Sequence, residues 1–260
     1  MSSDVSEFVR YQIANARMRE YPFPHFYVQP VFPPDAYATL QANLPPTEML
    51  EPITKSTVGY TDPKTGAPIP PPKNATEQHR YVGDIDVIGE RDTDAARGRY
   101  WSDIAAWIFS DQFRDLVIGK FEEGVRRRLG SYLRLVTRIE ARFVRDFSSY
   151  AIHVHTDSPH KLISLLFYLP RDDSKRHLGT SIFQPREPGR RCEGSARYAF
   201  AEFKKVITMD YVPNALFAFL KTDASFHGVE PIVDNDIERN LILYNIYLRK
   251  VVIPAPPGAG

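Results

Sequence analysis

The periodicity of the chain changes at Gly130, and this change constrains the fold more than any other feature. Beyond it, residues 136–144 alternate, with Arg138, Glu140 and Arg142 on one side and Ile139, Ala141 and Phe143 on the other. A period of two marks a half-buried strand. Further strand candidates follow at short spacing, at 150–154, 162–169, 180–183, 205–209, 215–220 and 240–252, and aromatic and β-branched residues are frequent in them. Before Gly130 the pattern is helical. Residues 5–19 read as a first helix. Pro33-Pro34-Asp35 opens a second, with Tyr37, Leu40 and Leu44 at helical spacing. Ser102 or Asp103 is expected to cap a third that carries Ile104, Trp107 and Ile108. Residues 113–129 continue in the same mode, with Leu116, Val117 and Phe121 on one face, Arg126-Arg127-Arg128 in the last turn and Gly130 as the stop. Helices followed by many short strands predict a mainly β protein with N-terminal helices, its core a barrel or jelly roll.

Proline sharpens this picture. The 22 prolines cluster at 21–34, at 45–72 and at 254–257. Proline lacks the N–H that helix and sheet interiors need, so these segments read as extended loops. Residues 45–80 thus form a long irregular insertion, of the kind often used as a lid or binding loop. The balance of 33 basic against 32 acidic residues argues against a nucleic-acid binder that works by neutralising phosphates. Cys192 is the only cysteine, which excludes an intramolecular disulfide and a cysteine-based zinc site. The long uncharged stretches are broken by proline, so no membrane span is expected. Residues 1–20 carry six charged side chains and no apolar signal core, which makes the cytoplasm the expected compartment.

Seven histidines are present, three of them in the run Ala151-Ile152-His153-Val154-His155-Thr156-Asp157-Ser158-Pro159-His160. On a strand, His153 and His155 share a face, and Asp157 joins them if the strand continues. His155 and Asp157 can then reach one metal ion, with His227 as a third ligand. Two imidazoles and a carboxylate occupy one face of an octahedron and leave three positions open, the facial triad of non-haem iron(II) oxygenases. The same three side chains suit a tetrahedral zinc site, so the triad alone leaves the metal open.

The residues around the triad extend the pattern. Tyr150 precedes it, 161–170 follows it as an apolar run, Leu178-Gly179 comes next, and Glu238-Arg239-Asn240-Leu241-Ile242-Leu243-Tyr244 lies beyond His227. In this order, residues 131–250 resemble the 2-oxoglutarate- and iron(II)-dependent dioxygenases, on the prolyl-hydroxylase-like side of that superfamily. The resemblance implies a double-stranded β-helix (jelly roll) core at 131–253. Residues 1–130 would be its helical support, with 45–80 as a lid, and 1–260 a single domain. It implies Fe(II) and 2-oxoglutarate as cofactors, dioxygen and a small-molecule or amino-acid-like substrate as partners, and hydroxylation with release of succinate and CO2. By position, His155, Asp157 and His227 match the metal ligands. Arg239 matches the basic residue that holds the distal carboxylate of 2-oxoglutarate, and Tyr150 is a candidate hydrogen-bond partner for the same cosubstrate. A guanidinium suits that task, since it binds a carboxylate bidentately and stays charged when buried. Some prolyl hydroxylases carry lysine where Arg239 stands. Related halogenases replace the carboxylate with a small residue, so Asp157 favours hydroxylation or another oxidation.

The remaining candidates have plainer expectations. His153 reads as a satisfied neighbour of the site, His160 and His177 as solvated loop residues, and Arg142 as part of an outer salt bridge with Glu140 or Asp146. The basic loops 171–177 and 186–197 read as solvated faces, with an anionic substrate bearing a carboxylate or phosphate as the functional alternative. Two other functions are consistent with the residues: a metal-free β-barrel that binds a ligand, and a cupin-like metalloenzyme that does not use 2-oxoglutarate.

Overall fold

A computed structural model describes residues 3–53, 60–61, 68–69, 79–194 and 196–253. In chain order the elements are α1 (Ser3–Asn15), β1 (His25–Val28), α2 (Pro34–Ala42), β2 (Glu51–Pro52), β3 (Tyr60–Thr61), β4 (Pro68–Ile69), β5 (Arg80–Asp84), α3 (Ile85–Arg91), α4 (Ala95–Ile108), α5 (Asp111–Lys120) and α6 (Glu122–Leu129). The β region follows as β6 (Arg134–Phe147), β7 (Ile152–His155), β8 (Lys161–Tyr168), β9 (Ser181–Pro185), β10 (Phe203–Thr208), β11 (Ala215–Leu220), β12 (His227–Val229) and β13 (Glu238–Val252).

The last eight strands divide between two antiparallel sheets. The larger sheet runs β1-β11-β8-β13-β6-β5-β2 and the smaller β10-β9-β12-β7. The first, third, sixth and eighth of the eight therefore lie in one sheet, and the second, fourth, fifth and seventh in the other. That interleaving is the double-stranded β-helix, or jelly roll, expected from the pattern of short strands. Strand alternation sorts the large sheet into two faces. Leu216, Ala218 and Leu220 of β11 and Ile242, Tyr244 and Ile246 of β13 join Val9, Trp101, Ile104 and Phe113 in the core between sheet and helices. The alternate residues Phe217, Phe219, Leu241, Leu166, Tyr168 and Val144 form a second core between the sheets. Both faces of β11 are covered, which explains its uninterrupted apolar sequence.

Several local expectations are corrected. The third helix begins earlier, at Ala95, because Asp94 accepts from the N–H groups of Ala96 and Arg97; Ser102 lies inside it and bonds back to the Gly98 carbonyl. Residues 113–129 are not one helix. They divide into α5, capped by Ser110, and α6, with the break at Phe121, whose buried ring stacks on Phe26 at 5.5 Å. The proline-rich stretch 21–34 contains a strand: β1 adds to the edge of the large sheet by pairing with β11. Of the irregular insertion 45–80, residues 54–59, 62–67 and 70–78, and with them the expected lid, fall outside the described residues. Its described parts include short paired strands, β2 against β5 and β3 against β4. No helix among the described residues is long and apolar enough to cross a membrane.

Candidate functional site

β7 and β12 are neighbours in the small sheet, and His155 lies directly opposite His227 in their register. Asp157 follows two residues after β7 ends. The two imidazole centroids are 4.3 Å apart. His155 Nε2 lies 3.8 Å from Asp157 Oδ1, and His227 Nε2 lies 3.9 Å from Asp157 Oδ2. One donor atom from each residue falls within 4.8 Å of the other two, and all three side chains are buried.

The backbone fixes which ring nitrogen faces the cluster. His155 Nδ1 lies 2.9 Å from the His153 carbonyl, and His227 Nδ1 lies 2.9 Å from the Ser225 carbonyl. A carbonyl only accepts, so each Nδ1 carries the proton and each Nε2 presents a lone pair to the cavity, as a metal-ligating imidazole does. Electrostatics keep the rings neutral. Burial, then the Arg197 charge, holds the His155 pKa well below its ordinary value; burial likewise lowers that of His227, against the pull of Asp157. Burial alone would raise the Asp157 carboxyl, but the Lys161 ammonium beside it holds it below the usual carboxylate range. Lys161 Nζ donates to Asp157 Oδ1 at 2.9 Å and Ser164 Oγ to Oδ2 at 3.0 Å. A carboxylate accepts about four hydrogen bonds, so lone pairs remain for an ion. Two neutral imidazoles and one ionised carboxylate, with one donor atom of each gathered within 4.8 Å of the others, suit a divalent transition metal.

His153 does not share the face of His155. The β7–β12 register shifts by one between Ile152↔Val229 and His155↔His227, so His153 and Val154 together oppose the single Gly228. This bulge turns His153 outward, where it stacks on Phe200 at 5.5 Å. Gly228 is needed there, since a Cβ would lie 2.7 Å from the Ile152 carbonyl oxygen.

The triad opens into a cavity of about 200 Å3 that is also lined by Tyr150, Arg239, Arg80, Lys161, Arg197 and Thr180. Arg239, the second residue of β13, has the inward parity of Leu241 and Leu243, and it is fully buried. Its Nη1 donates to Asp146 at 2.6 Å and its Nε to the Leu178 carbonyl at 2.6 Å, while Nη2 is buried without a partner among the described residues. Asp146, opposite both Arg239 and Arg80 across three strands, is also held by Arg80 through Nε at 2.6 Å and Nη2 at 2.9 Å. The Arg80 guanidinium lies 4.3 Å from the centroid of Tyr150. Gly179 makes this corner possible: a Cβ there would sit 1.5 Å from the Met209 carbonyl oxygen. An orphaned guanidinium nitrogen in the same cavity as the triad fits a carboxylate-bearing cosubstrate.

Arg80, Lys161, Ser164 and Asp146 carry no sequence signal of their own. Arg80 follows the proline-rich stretch, and Lys161 and Ser164 sit in an apolar run whose inner face only pairing defines. The basic loops separate cleanly. In 171–177, Lys175 and His177 pair with Asp234, and Arg176 with Asp210. In 186–197, Arg190 pairs with Glu187 and Glu202, and Arg191 with Asp223, whereas Arg197 is buried and lines the cavity. Arg142 is tied to Asp84 at 2.7 Å, with Glu140 at 3.5 Å, and stays outside the site; Asp146, the other expected partner, belongs to Arg80 and Arg239. His160 is exposed.

No known family model matches the chain, and no curated protein matches it in sequence. Solved structures align with it over most of their length at low identity. A Pseudomonas putida prolyl-4-hydroxylase is 16% identical, with 94% of this chain and 98% of that one covered at a TM-score of 0.48. An oxidoreductase of the 2OG-Fe(II) oxygenase family from Burkholderia pseudomallei is 16% identical, with 96% and 94% covered at 0.45. The non-heme alpha ketoglutarate dependent carbocyclase SnoK from nogalamycin biosynthesis is 10% identical, with 100% and 89% covered at 0.46. This chain carries its buried His-x-Asp…His cluster within a double-stranded β-helix.

Proposed function

We propose that this protein is an iron(II)- and 2-oxoglutarate-dependent oxygenase that hydroxylates a small-molecule or amino-acid-like substrate. One observation carries the reading: two imidazoles with Nε2 directed inward and an ionised carboxylate share a single cavity with a buried guanidinium that has a free donor. His155, Asp157 and His227 would hold the iron, and Arg239 the distal carboxylate of 2-oxoglutarate, with Tyr150 beside it. Bound iron(II), with 2-oxoglutarate and dioxygen, supplies the oxidising power and leaves succinate and CO2 as coproducts.

The chain's own contribution is orientation and shielding. The His153 and Ser225 carbonyls fix the two ring tautomers, and Lys161 and Ser164 hold the Asp157 carboxylate in place. Asp146 clamps Arg239 and Arg80, so that Nη2 is preset rather than ordered on binding. Phe219, whose ring lies 4.5 Å from that of His227, and Leu166, Val229 and Leu243 keep the cavity wall apolar and limit water. Retention of Asp157 as a third ligand supports hydroxylation over halide transfer. Arg197 and Lys161 in the wall favour a substrate that bears a negative charge.

The test is an anaerobic iron(II) titration followed by 2-oxoglutarate. The expected result is one iron per chain, a visible charge-transfer band that needs 2-oxoglutarate, and succinate release on admission of air. Iron binding without any response to 2-oxoglutarate would point to the cupin-like alternative. Absence of metal binding would leave a ligand-binding barrel.

A further inference from the structure

A second cavity, of about 490 Å3, lies beside α6 and the end of β11 and shares no lining residue with the cavity of the triad. Two cationic side chains in its wall lack a counter-ion. Lys221 directly follows β11 and is only 2% exposed, yet its ammonium donates only to the neighbouring Thr222 carbonyl, at 2.8 Å. Arg128, half-buried at the end of α6, donates to the carbonyls of Lys161 at 2.9 Å and Pro159 at 2.7 Å. Among the described residues neither cation forms an ion pair. An ammonium removed from water without an opposite charge is unfavourable, and burial, with the Arg128 charge added, accordingly lowers the Lys221 pKa.

The acidic residues of this wall offset the imbalance only in part: Asp223 acts on both cations from a distance and pairs with neither. Glu193 and Asp223 are exposed, and Asp223 lies 3.7 Å from Arg191. Arg127, also in the wall, is committed to Glu123 at 2.7 Å and Glu20 at 3.3 Å. Apart from Thr222, the rest is apolar: Pro24, Gly124, Pro159 and Leu220. Gly124 keeps α6 close to this wall, since a Cβ there would lie 2.7 Å from Leu220 Cδ2. The cavity thus combines two cations that form no ion pair among the described residues with a small apolar surface.

We propose that this cavity is a binding site for a compact oxyanion, a carboxylate or phosphate group held between Lys221 and Arg128, with the remainder of the ligand against Pro24, Pro159 and Leu220. The site is separate from the triad and does not depend on the function proposed above. Charge-assisted bonds in a partly desolvated wall are stronger than those at an exposed lysine, which is why a small anion would suffice.

Isothermal titration of the full chain with inorganic phosphate, and separately with propionate, tests the proposal. At least one probe should bind saturably, and the stronger of the two identifies the ligand's anionic group. Lys221→Met and Arg128→Gln should each weaken that binding about tenfold or more. Arg197→Met, in the other cavity, should leave the same transition in place. Lys221→Met replaces a buried ammonium by an apolar chain of similar length, so it should fold; Arg128→Gln provides an independent second variant. No saturable binding of either probe, or wild-type affinity in both variants, would overturn the proposal. So would loss of the transition in Arg197→Met alone, which would assign the anion to the cavity of the triad.

Discussion

Replacing Arg239 by Met separates the structural role of this residue from its proposed role in binding. Arg239 and Asp146 are both fully buried and 2.6 Å apart, an arrangement in which removing one partner usually abandons a charge, at about 3–5 kcal/mol. Here Asp146 keeps two bonds from Arg80, at 2.6 and 2.9 Å. The loss is therefore one charge-assisted bond, about 1.5–3 kcal/mol, and the bond to the Leu178 carbonyl, about 1 kcal/mol, offset by removal of the orphaned Nη2, worth about 1–3 kcal/mol. A net destabilisation of about 1–2 kcal/mol follows, or about 2–4 °C in Tm for a chain of this length. Binding of 2-oxoglutarate should suffer more. Losing its guanidinium partner in a buried cavity should weaken it about 100-fold, equivalent to about 3 kcal/mol. Calorimetric titration of the metal-loaded protein with 2-oxoglutarate, beside a thermal melt, reads both quantities. Arg239→Lys should recover much of the stability through Asp146 but only part of the affinity, because a point charge cannot serve Asp146, the Leu178 carbonyl and a carboxylate in one plane. A folded Arg239→Met protein with 2-oxoglutarate affinity within about threefold of the parent would refute the assignment, since even one charge-assisted bond exceeds that margin.

Three further outcomes are expected. His155→Ala, His227→Ala and Asp157→Asn should each abolish stoichiometric iron binding in an anaerobic titration while retaining the far-ultraviolet circular dichroism of the fold; full iron occupancy in any of them would remove that residue from the ligand set. Gly179→Ala should lower Tm sharply or prevent folding, since its Cβ would lie 1.5 Å from the Met209 carbonyl oxygen and overpacking of a core costs about 1–3 kcal/mol even where neighbours can yield. The Asp234 carboxyl is lowered to about 2, chiefly by the Lys175 hydrogen bond and then by His177. A depressed folded-state value adds stability above the unfolded carboxylate pKa near 4, and this is lost as pH falls through about 2. Asp234→Asn should flatten this part of the acid limb by at most about 1 kcal/mol, because the ion pair is largely surface-exposed; an unchanged limb in acid-denaturation curves would show that the pair does not couple to folding.

The sequence by itself specified the β-rich core, because strand alternation is a local property and survives without any knowledge of partners. The stretch 215–220 was legible as a strand to the residue and six others to within a few residues, whereas the three-residue β12 was not read as a strand. It also made the His155–Asp157 pair legible, because the two are neighbours in the chain, while Arg239 was singled out only through the family resemblance and its place beyond His227. The tertiary structure decided what depends on contact between distant segments. Only the pairing of β12 with β7 brings His227 opposite His155, and only their one-residue bulge turns His153 away. Arg80, Asp146 and Arg239 meet because β5, β6 and β13 run side by side at one register, across 159 residues of chain from 80 to 239. Lys161 and Ser164 looked like members of an apolar run until the sheet gave them an inner face. Which arginine of the loop 186–197 turns inward was likewise unreadable, since charge sets a side chain's preference for water while packing and pairing determine whether it can reach water.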